Sequence, residues 1–150
     1  LETGALPDIQ NFVRKFSTER KWDASLVNRV QLAVEETMLA LMEIRKADFN
    51  GRAGAPADRP SSNSTQELRL ELRAAGELAE LDMAVASIDS NMEELIDSAK
   101  AEASLNESQL PLRILANIAE NVQHFQFHGL DFISLSIRGK PHLKNTRKLI

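Results

Sequence analysis

Apolar residues change their spacing along this chain, and that change limits the folds open to it. Leu26, Val30, Ala33, Val34, Thr37, Leu41 and Ile44 recur at the interval of one helical face, while Arg29, Gln31, Glu36 and Glu43 occupy the others. From Leu68 the interval drops to two: Leu68, Leu70 and Leu72 point one way, and Arg69, Glu71 and Arg73 the other. The first pattern is an amphipathic helix and the second a strand with one dry face. A chain that carries both must cover a sheet with helices.

The remaining elements follow by the same reasoning. Pro7 suits a first helical position, and Leu6, Ile9, Phe12, Val13 and Phe16 form a helical face, so a first helix is expected from Pro7 to Lys21. Asp23 is placed to cap the second helix. Residues 47–65 lose all periodicity in Gly51, Gly54, Pro56, Pro60 and a Ser-Ser-Asn-Ser run, the composition of a flexible loop. Leu81, Met83 and Val85 alternate beyond a turn at Ala75 and Gly76, which makes a hairpin with the preceding strand. Ser90 and Glu93 have capping-box spacing ahead of a third helix bearing Met92, Leu95, Ile96, Ala99 and Ala103. Ser108 and Pro111 open a fourth, with Leu112, Leu115, Ile118, Ala119 and Val122 on its apolar face and an end near Asn121. Phe125 and Phe127, then Ile133, Leu135 and Ile137, form a closing hairpin across His-Gly-Leu-Asp, with Ser134, Ser136 and Arg138 outward. The expected architecture is α+β, a two-layer sandwich with helices on one face of a mostly antiparallel sheet.

With 150 residues the chain is sized for one domain, assigned to residues 1–139, followed by a basic tail over 140–150 that holds Lys140, Lys144, Arg147 and Lys148. A composition of 43% hydrophobic and 27% charged residues is that of a globule. The net charge of -4 argues against nucleic acid or anionic lipid as a partner. The absence of cysteine excludes disulfides, thiolate metal sites and a cysteine nucleophile, and suits a cytoplasmic location. No apolar run is long enough to span a bilayer, and the first residues lack the order of a signal peptide. Because the chain opens at Leu1 without an initiator Met, a longer parent protein is expected. His124, His128 and His142 lack metal-ligand spacing, so no metal site is expected from them. Phe125 and Phe127 read as sheet side chains on a shared face, not as a platform for bases.

Several strings resemble the histidine-kinase-like (GHKL) ATPase superfamily, which has the Bergerat-type fold, and within it the anti-sigma-factor serine kinases. The first is Arg29-Val-Gln-Leu-Ala-Val-Glu-Glu-Thr-Met-Leu-Ala40, similar to the family helix that carries a Glu and, four residues later, an Asn. One helical turn puts both side chains at one pocket. In the family the Glu activates the reacting group and the Asn oxygen holds magnesium. Glu36 matches the acid, but Ala40 stands in place of the Asn, and a methyl group cannot coordinate a hard cation. Without that partner the better reading of Glu36 is an ordinary surface acid of an amphipathic helix.

The second string, Glu80 to Asn91, resembles the strand leading into the family's Asp-x-Gly-x-Gly turn, where the Asp accepts from adenine. Ser87 replaces that Asp, and Asp89 and Asn91 replace the glycines. The third, Ser108 to Asn121, resembles the Gly-x-Gly-Leu start of the last family helix, whose amides hold phosphate oxygens. Gln109 and Pro111 occupy the glycine positions and Leu112 the leucine, and a proline has no amide hydrogen to give. The fourth, Val122 to Arg138, resembles the final hairpin.

The resemblance therefore implies Glu36 as the catalytic position and Ser87, Asp89, Asn91 and Leu112 as the nucleotide-facing ones. Its cofactors would be ATP and magnesium if the pocket functioned, and three substitutions in three separate motifs make both unexpected here. The implied role is a regulatory domain that binds a protein such as a sigma factor or an antagonist domain, with homodimerisation a further expectation. An ATP-dependent serine/threonine protein kinase with Glu36 as its base is the alternative.

Overall fold

The computed structural model describes residues 3–51, 68–86, 90–102 and 106–139. The larger part of the expected 47–65 loop, Ser87, Asp89 and the basic tail lie outside the described residues. A short 3-10 turn, Thr3–Ala5, leads into α1 (Leu6–Glu19), followed by α2 (Ala24–Gly51), β1 (Arg69–Ala75), β2 (Leu78–Ala86) and α3 (Met92–Ala101). A second 3-10 turn, Glu107–Gln109, then precedes α4 (Leu110–Ile118), β3 (Ala119–Phe127) and β4 (Leu130–Arg138). The four strands form one antiparallel sheet in the order β1-β2-β4-β3. The molecule is thus α+β, with helices packed on one face of the sheet.

The alternation read from the sequence decides which face is dry. Leu72 on β1, Ala79, Leu81, Met83 and Val85 on β2, and Ile133, Leu135 and Ile137 on β4 are buried beneath the helices. Their neighbours Arg73, Glu80, Asp82, Ser134 and Arg138 line the open face, where Arg73 pairs with Glu80 and Asp82, and the Ser134 hydroxyl donates to Asp82 at 2.5 Å. Both hairpins turn through two residues. Gly76 adopts φ +62° in the first, and His128 and Gly129 adopt φ +51° and +75° in the second, the left-handed pair that matches strand twist.

Helix α2 runs through the centre. It contacts α1 on one side, α4 on another and strands β2 and β4 beneath, which accounts for its broad buried surface from Leu26 to Ile44. The Asp23 carboxylate accepts from the Leu26 amide at 2.9 Å, as its capping position predicts. The end of β4 closes on this cap: a Cβ at Gly139 would lie 3.1 Å from Asp23 Oδ2, so the approach suits a residue without a side chain.

Helix α1 covers Leu6–Glu19 instead of Pro7 to Lys21, Lys21 adopting φ +55°, and further boundaries also differ from expectation. Helix α2 continues to Gly51 instead of ending before residue 47, since nothing from Lys46 to Asn50 breaks a helix. Asn91, not Ser90, caps α3, its Oδ1 accepting from the Glu93 and Glu94 amides at 2.9 and 3.4 Å. Ser108 caps nothing, because Asn106 takes its amide at 3.2 Å and α4 starts from Gln109 without a side-chain cap. Helix α4 stops at Ile118, not near Asn121, and β3 begins at the next residue.

That last junction has no loop, and a side chain from elsewhere completes it. Arg29 Nη2 of α2 donates to the Ile118 carbonyl at 2.8 Å, placing a cation at the helix end where the dipole favours one. The chain then enters the sheet through an irregularity between Ala119 and Asn121. Arg29→Met is expected to lower stability by about 1.5–3 kcal/mol, the range for a hydrogen bond to a charged group, as read by urea denaturation. Leu81→Ala, which empties part of the fully buried core, sets the larger scale at about 2–5 kcal/mol.

Candidate functional site

Glu36 lies on the same stripe of α2 as Arg29, two turns further along, and Arg29 reaches the end of α4. Helix α2 packs along α4 and the 3-10 turn before it. The stripe bearing Glu36 and Ala40 therefore runs alongside the segment holding Gln109, Pro111 and Leu112, so the fold brings together two of the stretches that carry the family resemblance.

The surroundings of Glu36 are not those of a surface acid. Its residue is only 8% exposed, and its carboxyl titrates above the usual glutamate range, first because burial penalises the charged form and second because Glu35 is beside it. One turn later Ala40 is 2% exposed, packed into the core cluster. Pro111 and Leu112 are buried as well, and Leu112 belongs to the apolar core. Neither Ala40 nor Pro111 offers a polar side chain, and the proline ring removes one of the amides a helix start would present to an anion.

Asn91 caps α3, and its side-chain oxygen is engaged by the first turn of that helix. Ser87 and Asp89 lie outside the described residues, which break off at Ala86 and resume at Ser90. Arg45 marks one of those ends. Its Nη2 donates to the Ala86 carbonyl at 3.1 Å, and its pKa is lowered by burial and held up in part by Asp131.

Sequence reasoning passed over a polar cluster next to this end. His124 of β3 has a side chain only 3% exposed, and Asp131 of β4 is fully buried; His124 Nε2 lies 3.3 Å from Asp131 Oδ1. His124 Nδ1 accepts from the Met92 amide at 2.9 Å, while the His124 backbone amide donates to Glu93 Oε1 at 2.6 Å. The signal was present in the strand parity. Asp131 falls in step with Ile133, Leu135 and Ile137, and His124 with Val122, so both had to face the helices.

Phe125 and Phe127 do share a face, as expected, and it is the open one. Phe125 stacks on Phe132 with ring centroids 5.0 Å apart, and both Phe125 and Phe127 are more than half exposed. On α1 Phe12 is 43% exposed and approaches Phe16, which in turn packs edge-on against Trp22. No helix among the described residues is long and apolar enough to cross a membrane.

The raised pKa of Glu36 has a defined consequence for stability. The folded state holds this proton more tightly than the unfolded chain, so at low pH, with both states protonated, there is no penalty, and the penalty grows as pH rises above about 4.3, the ordinary glutamate value. Glu36→Gln removes it. Urea denaturation is expected to show the variant more stable than the parent at pH 7 and the difference shrinking toward pH 4. No known protein family, characterised sequence or solved structure matches this chain.

Proposed function

We propose that this domain is a regulatory GHKL ATPase-like module that binds a protein partner and has lost most or all of its nucleotide binding. The observation that carries the reading is Ala40. One helical turn from Glu36, where the resembled family holds magnesium through an Asn oxygen, stands a methyl group sunk in the core. Pro111 supports it from the facing segment, since a buried proline cannot donate an amide to phosphate. A scaffold with an apolar lining at the metal position can still present its outer surfaces to a partner, in the way the resembled family engages sigma factors and antagonist domains.

Phe12 is the residue we assign to that contact. It is a large aromatic side chain left substantially exposed on α1, the end through which domains of the resembled type commonly pair. A second copy of the domain is therefore among the expected partners. The kinase reading retains one argument, that a buried carboxyl with a raised pKa is suited to accept a proton. Under that reading Glu36→Ala would abolish phosphate transfer to serine or threonine.

Two measurements test the proposal. Thermal melting with ATP or ADP, each with and without magnesium, is expected to show no rise in Tm up to millimolar nucleotide, because a site-specific ligand must stabilise the folded state by mass action. A magnesium-dependent rise at micromolar ATP would replace the proposal with the kinase reading. Sedimentation equilibrium is expected to show self-association that Phe12→Asp weakens at least tenfold; a strictly monomeric parent protein would remove the second copy from the partners assigned to α1.

A further inference from the structure

Helix α3 is attached to the sheet by a pair of reciprocal hydrogen bonds. The first four amides of any helix lack partners within it. Here the Glu93 and Glu94 amides go to the Asn91 side chain and the Leu95 amide to the Asn91 carbonyl at 3.1 Å. The Met92 amide is satisfied from another element, by His124 Nδ1 of β3, and Glu93 returns the contact by accepting from the His124 backbone amide. That return bond also occupies an outward-facing amide of an edge strand, which otherwise invites pairing with a further strand.

The chemistry of this contact fixes the protonation of the ring. A nitrogen that accepts from an amide carries no hydrogen, so Nδ1 is bare and the ring proton resides on Nε2, the atom that faces Asp131. The charged groups around the ring are Glu93 from α3 and Asp131 from β4, with Arg45 of α2 electrostatically coupled to Asp131. A second proton on the imidazole would turn Nδ1 from acceptor to donor and set it against the Met92 amide. The same proton would strengthen the pairing of Nε2 with the Asp131 carboxylate, so the ring would stay in place and the helix would yield. Glu93, Ile96 and Asp97 of α3 face Glu120, Asn121 and Val122 across a cleft of about 230 Å³.

We propose that His124 is a proton-operated latch, holding the start of α3 against β3 when neutral and releasing it when protonated. The latched state requires a bare Nδ1, so the released state binds one more proton and gains population as pH falls. Histidine is the side chain suited to such a change between about pH 8 and pH 5. The proposal does not depend on the nucleotide or partner reading above.

The test is nitrogen-15 NMR on the whole 150-residue chain. At pH 8 the His124 ring is expected to show an unprotonated Nδ1 and a protonated Nε2. Amide-exchange protection at Met92, corrected for the intrinsic effect of pH, is expected to fall about fivefold or more by pH 5.5, the scale of losing one capping hydrogen bond. The amide of Leu135 in β4 should keep its protection. His124→Asn places an oxygen near the Nδ1 position that does not titrate, and Met92 protection should then be level with pH. A protonated Nδ1 at pH 8, a pH-independent Met92 amide in the parent protein, or the same fall in His124→Asn would each overturn the latch. Should His124→Asn fail to fold, the ring tautomer and the Met92 profile of the parent protein decide between these outcomes.

Discussion

Everything else in this domain is arranged around the burial of one long helix. Helix α2 meets α1, α4 and the sheet, and a helix contacted on several sides needs more than a narrow apolar stripe. Its sequence supplies the extra width with small residues, Ala33, Thr37 and Ala40, between the larger Val34, Met38 and Leu41. Thr37 is tolerated there because its hydroxyl donates to the Ala33 carbonyl at 2.7 Å, leaving no hydroxyl hydrogen unsatisfied. The same packing demand accounts for Ala40: at a position enclosed on the α4 side, a small apolar residue is what the core accepts. A methyl group that suits the core brings no oxygen for a metal, so packing alone is a sufficient reason for the residue at this position.

Helix α2 also reaches out with two arginines to backbone carbonyls of other elements. Arg29 takes the carbonyl at the end of α4 and Arg45 the one at the end of β2. A third such closure runs from β3 to the start of α3 through His124. Those of Arg29 and His124 meet a helix terminus, where the backbone runs out of partners within the helix. Long cationic side chains and an imidazole span the gap because they carry a polar head on an apolar stem. Two of these closures, those of Arg45 and His124, converge on the same buried carboxylate, Asp131, which places the most polar part of the interior beside the ends of β2 and α3.

The class of fold was legible in the sequence because hydrophobic periodicity is a local property. Leu68 to Arg73 alternate whatever they pack against, and Leu26 to Ile44 form a helical face in isolation, so α+β layering, both hairpins and the dry face of the sheet could be read directly. Helix starts were less legible. Ser90 and Asn91 are both good caps, and the choice between them depends on which residue the docking of Met92 onto His124 leaves at the boundary. The end of α4 misled for a related reason: Ala119 and Val122 continue its apolar spacing, but β4 offers them a strand partner, and ladder bonds to Ile137 and Leu135 outweigh two more residues of helix.

For the candidate site the division falls along the same line. The sequence by itself determined which side chains exist at each motif position, and hence that Ala40 brings no oxygen and Pro111 no amide; chemical identity needs no neighbours. Only the tertiary structure decided what those side chains experience. Glu36 reads from the sequence as a surface acid, whereas in the fold it is buried, and its raised proton affinity follows first from that burial and second from Glu35 beside it. His124, Asp131, Met92 and Glu93 are spread over two strands and a helix, and no spacing along the chain announces them as one cluster. Desolvation and hydrogen bonding act through space over a few ångströms, whereas a sequence orders residues along a line, so the sequence specified the groups and the fold their chemistry.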